Sequence, residues 1–107
     1  MKRVIVPVAD GSEEMETVII VDTLRRAQWE VTLAGLGKTS IEASRGVRLT
    51  ADIVWQKADV SSYDILAIPG GGPGSRALAA EESILSAVRD FVEQGKLVGA
   101  ICAAPLV

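Results

Sequence analysis

The strongest constraint on the fold is a hydrophobic period that switches back and forth along the chain. Residues 2–9 (KRVIVPVA) are β-branched and nearly continuous in apolar character, as in a strand buried on both faces. Asp10-Gly11-Ser12 breaks that run, and a helical period follows to about Gln28. Ser12 is placed to cap this helix, with Glu13 and Glu14 putting negative charge in its first turn. Ile20, Val21, Leu24 and Ala27 form its apolar face, and Asp22 is in reach of Arg25 or Arg26. Glu16 falls beside Ile20 and Ala27, at the edge of the stripe. Strand character returns at residues 30–34 (EVTLA), 63–68 (YDILAI) and 97–101. Ile84, Leu85, Val88, Phe91 and Val92 keep helical spacing, and Gly95 supplies the C-terminal cap. Segments 41–43 and 47–49 flank Ser44-Arg45-Gly46 and predict a short antiparallel excursion.

Strands that alternate with amphipathic helices through short turns specify a parallel sheet covered on both faces, because each crossover must return over the sheet. The expected class is therefore α/β with a doubly wound parallel sheet. A length of 107 residues fits one domain. Residues 97–107 (LVGAICAAPLV) carry no charge, which predicts that a further helix and additional strands follow Val107. Residues 1–107 are then the N-terminal portion of a single domain.

Composition narrows the chemistry. Eleven Lys and Arg against 14 Asp and Glu give a formal charge of −3, so the basic field that nucleic acid requires is absent. The first apolar stretch, residues 4–9, is too short for a signal sequence or a bilayer span, which predicts a cytoplasmic protein with no membrane partner. One cysteine excludes an internal disulfide framework, and zero histidines exclude a Cys-His or Ser-His pair within these residues. Zinc and haem lose their usual ligands as well, so no metal site is expected.

In open α/β sheets, ligands collect beyond the carboxyl ends of the strands, near helix N-termini. Three turns qualify, at residues 10–16, 69–74 and 101–105. Cys102 lies in the last, between Ala100 and Ala103-Ala104. Small neighbours permit a sharp strand-to-helix turn that presents the side chain, and the positive end of a following helix favours the thiolate; the alternative is an inert core cysteine. A protonated Glu16 would donate a hydrogen bond to that thiolate and an ionised one would repel it, so the two groups titrate together. Its alternative role is a solvated glutamate at a helix start. Gly70-Gly71-Gly72 allows backbone N–H groups to approach an oxyanion, or forms only a turn. The spacing matches neither a P-loop nor a dinucleotide fingerprint. Arg45 is either an anion contact or a surface turn residue.

Three separated segments together resemble one family: residues 11–17 (GSEEMET) with 21–26 (VDTLRR), Ile68-Pro69-Gly70-Gly71, and Ala100-Ile101-Cys102-Ala103-Ala104-Pro105. They are similar to the ThiJ/PfpI superfamily, most closely its DJ-1-like branch, and Ser44-Arg45-Gly46-Val47 extends the match. The resemblance implies a flavodoxin-like homodimer that needs no cofactor, with a reactive Cys102 and a protonated Glu16 touching its sulfur. It puts the oxyanion donors at Gly71 and Ala103 beside Gly70, and Arg45 near the site at the dimer interface, which the first helix and Met15 help to form. Peptidase members carry His directly after the cysteine; Ala103 stands there instead, which disfavours peptidase activity. The implied function is a glyoxalase or deglycase acting on methylglyoxal-type dicarbonyls or early glycation adducts. The alternative is an oxidative-stress sensor or chaperone that uses oxidation of the same cysteine.

Overall fold

The computed structural model describes residues 2–100. Strands β1 (Arg3–Val8), β2 (Glu30–Gly35), β5 (Ile53–Val54), β6 (Ile65–Ile68) and β7 (Leu97–Ala100) form one sheet in the order β5-β2-β1-β6-β7. All four pairings are parallel. The strands β3 (Ser40–Glu42) and β4 (Arg48–Thr50) make a separate antiparallel hairpin, which is the expected excursion. The helices are α1 (Glu14–Arg26), α2 (Gly72–Ala79) and α3 (Glu82–Glu93).

The chain winds outward from β1 to β2 and β5, then crosses back over β1 to β6 and β7. The sheet is thus doubly wound, and its direction of winding reverses between β1 and β6. At such a reversal two neighbouring strands send their following turns to opposite faces, which opens a crevice at their carboxyl ends. The turns after β1 and β6 flank it.

Burial follows from the winding. On one face Ile5, Leu66 and Ile68 pack with Leu78 of α2 and with Ile84, Ala87 and Phe91 of α3. Each buried Ile, Leu or Phe among them contributes roughly 1.5–3 kcal/mol over its exposed state. On the other face Val4, Val6, Val8, Val31, Leu33 and Ile65 meet Ile20, Val21 and Leu24 of α1. β1 is buried on both faces, as its unbroken apolar run required.

Several local expectations are corrected. Glu13, not Ser12, caps α1: its side chain accepts from the Met15 N–H at 3.1 Å. Ser12 is pulled into the preceding turn, where its Oγ accepts from the Ala9 N–H at 3.1 Å. α1 stops at Arg26, and Ala27 is its exposed C-cap and not part of the apolar face. Gln28 takes the left-handed conformation at φ 68°, and the Gln28 and Trp29 N–H groups reach back to the carbonyls of Arg25 and Leu24. That is a Schellman closure built without glycine. α3 closes in the same way through Gly95, and there the cap expectation holds. Arg26 pairs with Asp22 at 2.9 Å, leaving Arg25 to reach Asp52.

β5 and α2 were not foreseen. β5 is two residues long, too short to show a period. α2 begins inside Gly-Pro-Gly, which reads as a turn, yet Pro73 falls in the first helical turn, where its missing N–H costs nothing.

Candidate active site

The turn after β1 is held against the turn after β6 by backbone. The Glu13 N–H donates to the Gly70 carbonyl at 2.9 Å. A Cβ on Gly71, which sits at φ +99°, would stand 2.5 Å from the Glu13 nitrogen and 2.6 Å from the Gly11 oxygen. One on Gly74 would stand 2.5 Å from the Ser12 nitrogen. These two glycines are what let the main chains touch, and the left-handed φ at Gly71 starts α2 abruptly after Pro69-Gly70.

Glu16 lies in the first turn of α1 and its carboxylate crosses to the neighbouring strand's turn. Its Oε1 accepts from the Gly70 N–H at 2.8 Å. Glu16, Gly70 and Gly71 are therefore brought together at the switch point, and both backbone polar groups of Gly70 are engaged, one by Glu13 and one by Glu16. The last described residue of β7, Ala100, is in register with Ile68 of β6. Cys102 and Ala103 lie outside the described residues.

The same turn faces the hairpin with its carboxylates. Glu14, two residues before Glu16 and so roughly 200° away around the helix, is only 9% exposed. It accepts from the Ser44 hydroxyl at 2.9 Å, from the Arg45 N–H at 2.9 Å and from the Val47 N–H at 3.3 Å. The Ser44 hydroxyl is also 2.9 Å from Glu13, so its one proton is shared between two carboxylates. Asp10 adds an acceptor for the Glu42 N–H at 3.0 Å and for Lys38 at 2.6 Å.

Charge at these groups follows from their partners. Burial pushes the Glu14 carboxyl upward, but its own N–H, the Ser44 hydroxyl and the Arg45 and Val47 N–H groups together outweigh that, and the net shift is downward. The Lys38 ammonium, helped by the Glu42 N–H and opposed by partial desolvation, lowers the Asp10 carboxyl. Arg45 is exposed, and its backbone is fixed by Glu14. Sequence reasoning named Arg45 but saw Glu14 only as helix-start charge. No local signal marks a carboxylate whose partners lie thirty residues further on. Met15 is 67% exposed on α1, with Val18 and Ile19 exposed near it.

Comparison with known proteins bears on the family and the fold. The family model described as the DJ-1/PfpI family matches residues 2–107. Protein DJ-1 homolog B of Arabidopsis thaliana is 44% identical over 104 residues, covering 96% of the chain and 24% of the relative. The glutathione-independent glyoxalase DJR-1.2 of Caenorhabditis elegans is 34% identical over 98 residues, covering 92% of the chain and 52% of the relative. The crystal structure of VC2308 protein superposes with a TM-score of 0.94 at 52% identity, covering 97% of this chain and 54% of that one. Oxidized DJ-1 of Toxoplasma gondii superposes with a TM-score of 0.94 at 42% identity, covering 98% of this chain and 58% of that one. The chain spans about half the length of these solved structures. Its doubly wound sheet is the flavodoxin-like fold of these neighbours, and the chain belongs to the DJ-1/PfpI family.

Proposed function

We propose that the chain carries the site of a cofactor-free, cysteine-dependent glyoxalase or deglycase that acts on methylglyoxal-type dicarbonyls or early glycation adducts. The Cys102 thiolate adds to the aldehyde carbon and forms a hemithioacetal, whose oxygen is held by the N–H groups of Gly71 and Ala103. Glu16 moves the proton: it takes the one on the former aldehyde carbon and returns it to the adjacent carbonyl carbon. The resulting lactoyl thioester is hydrolysed by water, releasing lactate and the thiol, so the two carbons exchange oxidation level with no external oxidant. Gly70 serves as the anchor of Glu16, and Arg45 contacts the substrate's polar end from a homodimer partner. The setting is cytoplasmic, with no nucleic-acid or membrane partner. Residues 1–107 form the first part of one domain, which accords with their coverage of about half of each solved relative.

The observation that carries this reading is the 2.8 Å hydrogen bond by which Gly70 draws the Glu16 carboxylate to the switch point, beside the strand end that precedes Cys102 in sequence. The relative named as a glutathione-independent glyoxalase supports the reaction class. Among the described residues, no helix is long and apolar enough to cross a membrane.

The test is conversion of methylglyoxal to lactate by the full chain and by Cys102→Ala. Turnover is expected in the first and loss to background in the second; turnover that survives Cys102→Ala overturns the mechanism. The relative solved in an oxidized form favours a second use of the same thiol, as an oxidation sensor or chaperone. There, two equivalents of peroxide convert Cys102 to the sulfinate and are reduced to water. That use predicts no appreciable dicarbonyl turnover in the unmodified protein and loss of its peroxide response in Cys102→Ala.

A further inference from the structure

We infer that Glu14 is a positioning residue for substrate binding: it holds the backbone of Arg45 in the arrangement from which the guanidinium meets the substrate's polar end. The inference rests on the proposed function for the role of Arg45, and on the hydrogen bonds of the hairpin tip for the role of Glu14.

The tip gives two of its donors to a single side chain. Of the N–H groups at residues 43–47, that of Ala43 donates to the Val47 carbonyl at 2.9 Å, that of Ser44 to the Ser12 carbonyl at 2.8 Å and that of Gly46 to the Ala43 carbonyl at 2.9 Å. The other two, of Arg45 and Val47, donate to the Glu14 carboxylate at 2.9 Å and 3.3 Å. The Arg45 N–H also lies 3.2 Å from the second oxygen, so it sits astride the carboxylate. Main-chain bonds thus fix the tip at Ser44 and at Gly46, and the N–H of the residue between them is held by Glu14.

A buried carboxylate is a demanding acceptor for this task. Glu14 is 9% exposed, and burial works against its charge, whereas Arg45 and Val47 are exposed and water could satisfy their N–H groups. What the carboxylate adds is direction. Arg45 takes no part in the ion pairs among the described residues, so the aim of its guanidinium is set by how the backbone presents it. Gly46 follows at φ +85° with open space around it, and such a residue leaves a turn free to move unless something outside the turn restrains it. Glu14 supplies that restraint from the first turn of α1, a rigid element. Ordering the arginine before substrate arrives lowers the entropy lost on binding.

The test is the KM and kcat of the full chain for methylglyoxal, with Glu14→Ala, Glu14→Gln, Arg45→Ala and the double variant Glu14→Ala/Arg45→Ala. Glu14→Ala should lower kcat/KM about fivefold, chiefly through KM, as for loss of a contact made equally in the ground and transition states. Glu14→Gln keeps one acceptor oxygen for Arg45 and should recover part of the loss. In the double variant, removing Glu14 should add nothing to the effect of Arg45→Ala, because one acts through the other. A Glu14→Ala effect of equal size with and without Arg45, or no effect at all, overturns the assignment. Arg45→Ala with an unchanged KM overturns it too, while leaving the chemistry proposed for Cys102 untouched.

A second measurement needs no turnover and uses the conservative variant. In Glu14→Gln the amide hydrogens of Arg45 and Val47 should exchange severalfold faster, and those of Ser44 and Gly46, bonded to main chain, should not. Equal acceleration at all four means that Glu14 only stabilises the hairpin as a whole, and sinks the inference. Selective acceleration in a protein whose wild type shows no dicarbonyl turnover sinks the proposed reaction and leaves the hold of Glu14 on Arg45 standing.

Discussion

The turn that follows β1 is fastened on two sides, and the two fastenings are of different kinds. Toward residues 70–74 the contact is main chain on main chain, with Glu13 bonded to Gly70 and no room for a Cβ at Gly71 or Gly74. Toward the β3–β4 hairpin the contact is made by carboxylates, those of Asp10, Glu13 and Glu14, which collect N–H and hydroxyl donors from residues 42–47. The main-chain part of the first contact is steric and contains no ionisable group, the Glu16–Gly70 hydrogen bond being the one side-chain addition described on that side. The second is electrostatic and weakens as Asp10 and Glu14 take up protons. The comparison teaches that one short turn can be fixed against the glycine loop by main-chain fit while tying the arginine-bearing hairpin by the carboxylates of Asp10 and Glu14.

The largest effect is expected where the steric contact is broken. Gly71→Ala places a Cβ against two backbone atoms at a φ that L-residues avoid, and should cost ~2–5 kcal/mol in urea denaturation, from strain and overpacking together. Gly46→Ala is the counterpart in the hairpin. Its φ is +85° but its Cβ meets nothing within 4 Å, so it should cost only about 1–2 kcal/mol. Equal costs would erase the distinction between the two sides.

Acid should break the other fastening. The folded-state pKa of Glu14 lies below its ordinary value of 4.5, and that of Asp10 below 3.8. Their contribution to stability is therefore present above those values and is lost as pH falls through the lower folded-state ones. The amide resonances of Arg45 and Val47 should move strongly in that acid range, that of Gly74 should move least, and Glu14→Gln should suppress the Arg45 and Val47 response. Equal movement at Gly74 would show that the two contacts are one unit.

The smallest change to folding is expected at Glu16. Glu16→Asp shortens the reach to Gly70 and removes one hydrogen bond, worth about 0.5–1.5 kcal/mol. Glu16→Gln keeps an acceptor there and should restore the melting temperature. A Glu16→Asp protein as stable as the wild type would show that Gly70 does not depend on that carboxylate.

Much of the fold was legible because the period of apolar residues is set by burial. β1, β2, β6 and β7 were each located within two residues among the described positions, and the hairpin around Ser44-Arg45-Gly46 was recognised from its alternation. α2 was not, since its Gly-Pro-Gly start is dictated by the close approach of Ser12, a contact between residues more than sixty positions apart. At the site, Glu16, Gly70 and Arg45 were named from the sequence, while Glu14 was missed and Ser12 was given the wrong partner. Cap preferences are local, and both residues had their hydrogen bonds claimed by neighbouring segments: Ser12 by Ala9, Glu14 by the hairpin.

The chain's sequence determined by itself that a parallel sheet would form, that no histidine within these residues could assist the cysteine, and where the glycine turn would fall. Those follow from side-chain period and residue type, which any stretch carries with it. The tertiary structure alone decided the strand order, and with it that the turns after β1 and β6 would lie side by side at the switch point. It also decided which of two glutamates on one helical turn would face the glycines and which the hairpin. A helix fixes the angle between two side chains, but what lies at each angle is set by the packing of the segments around it.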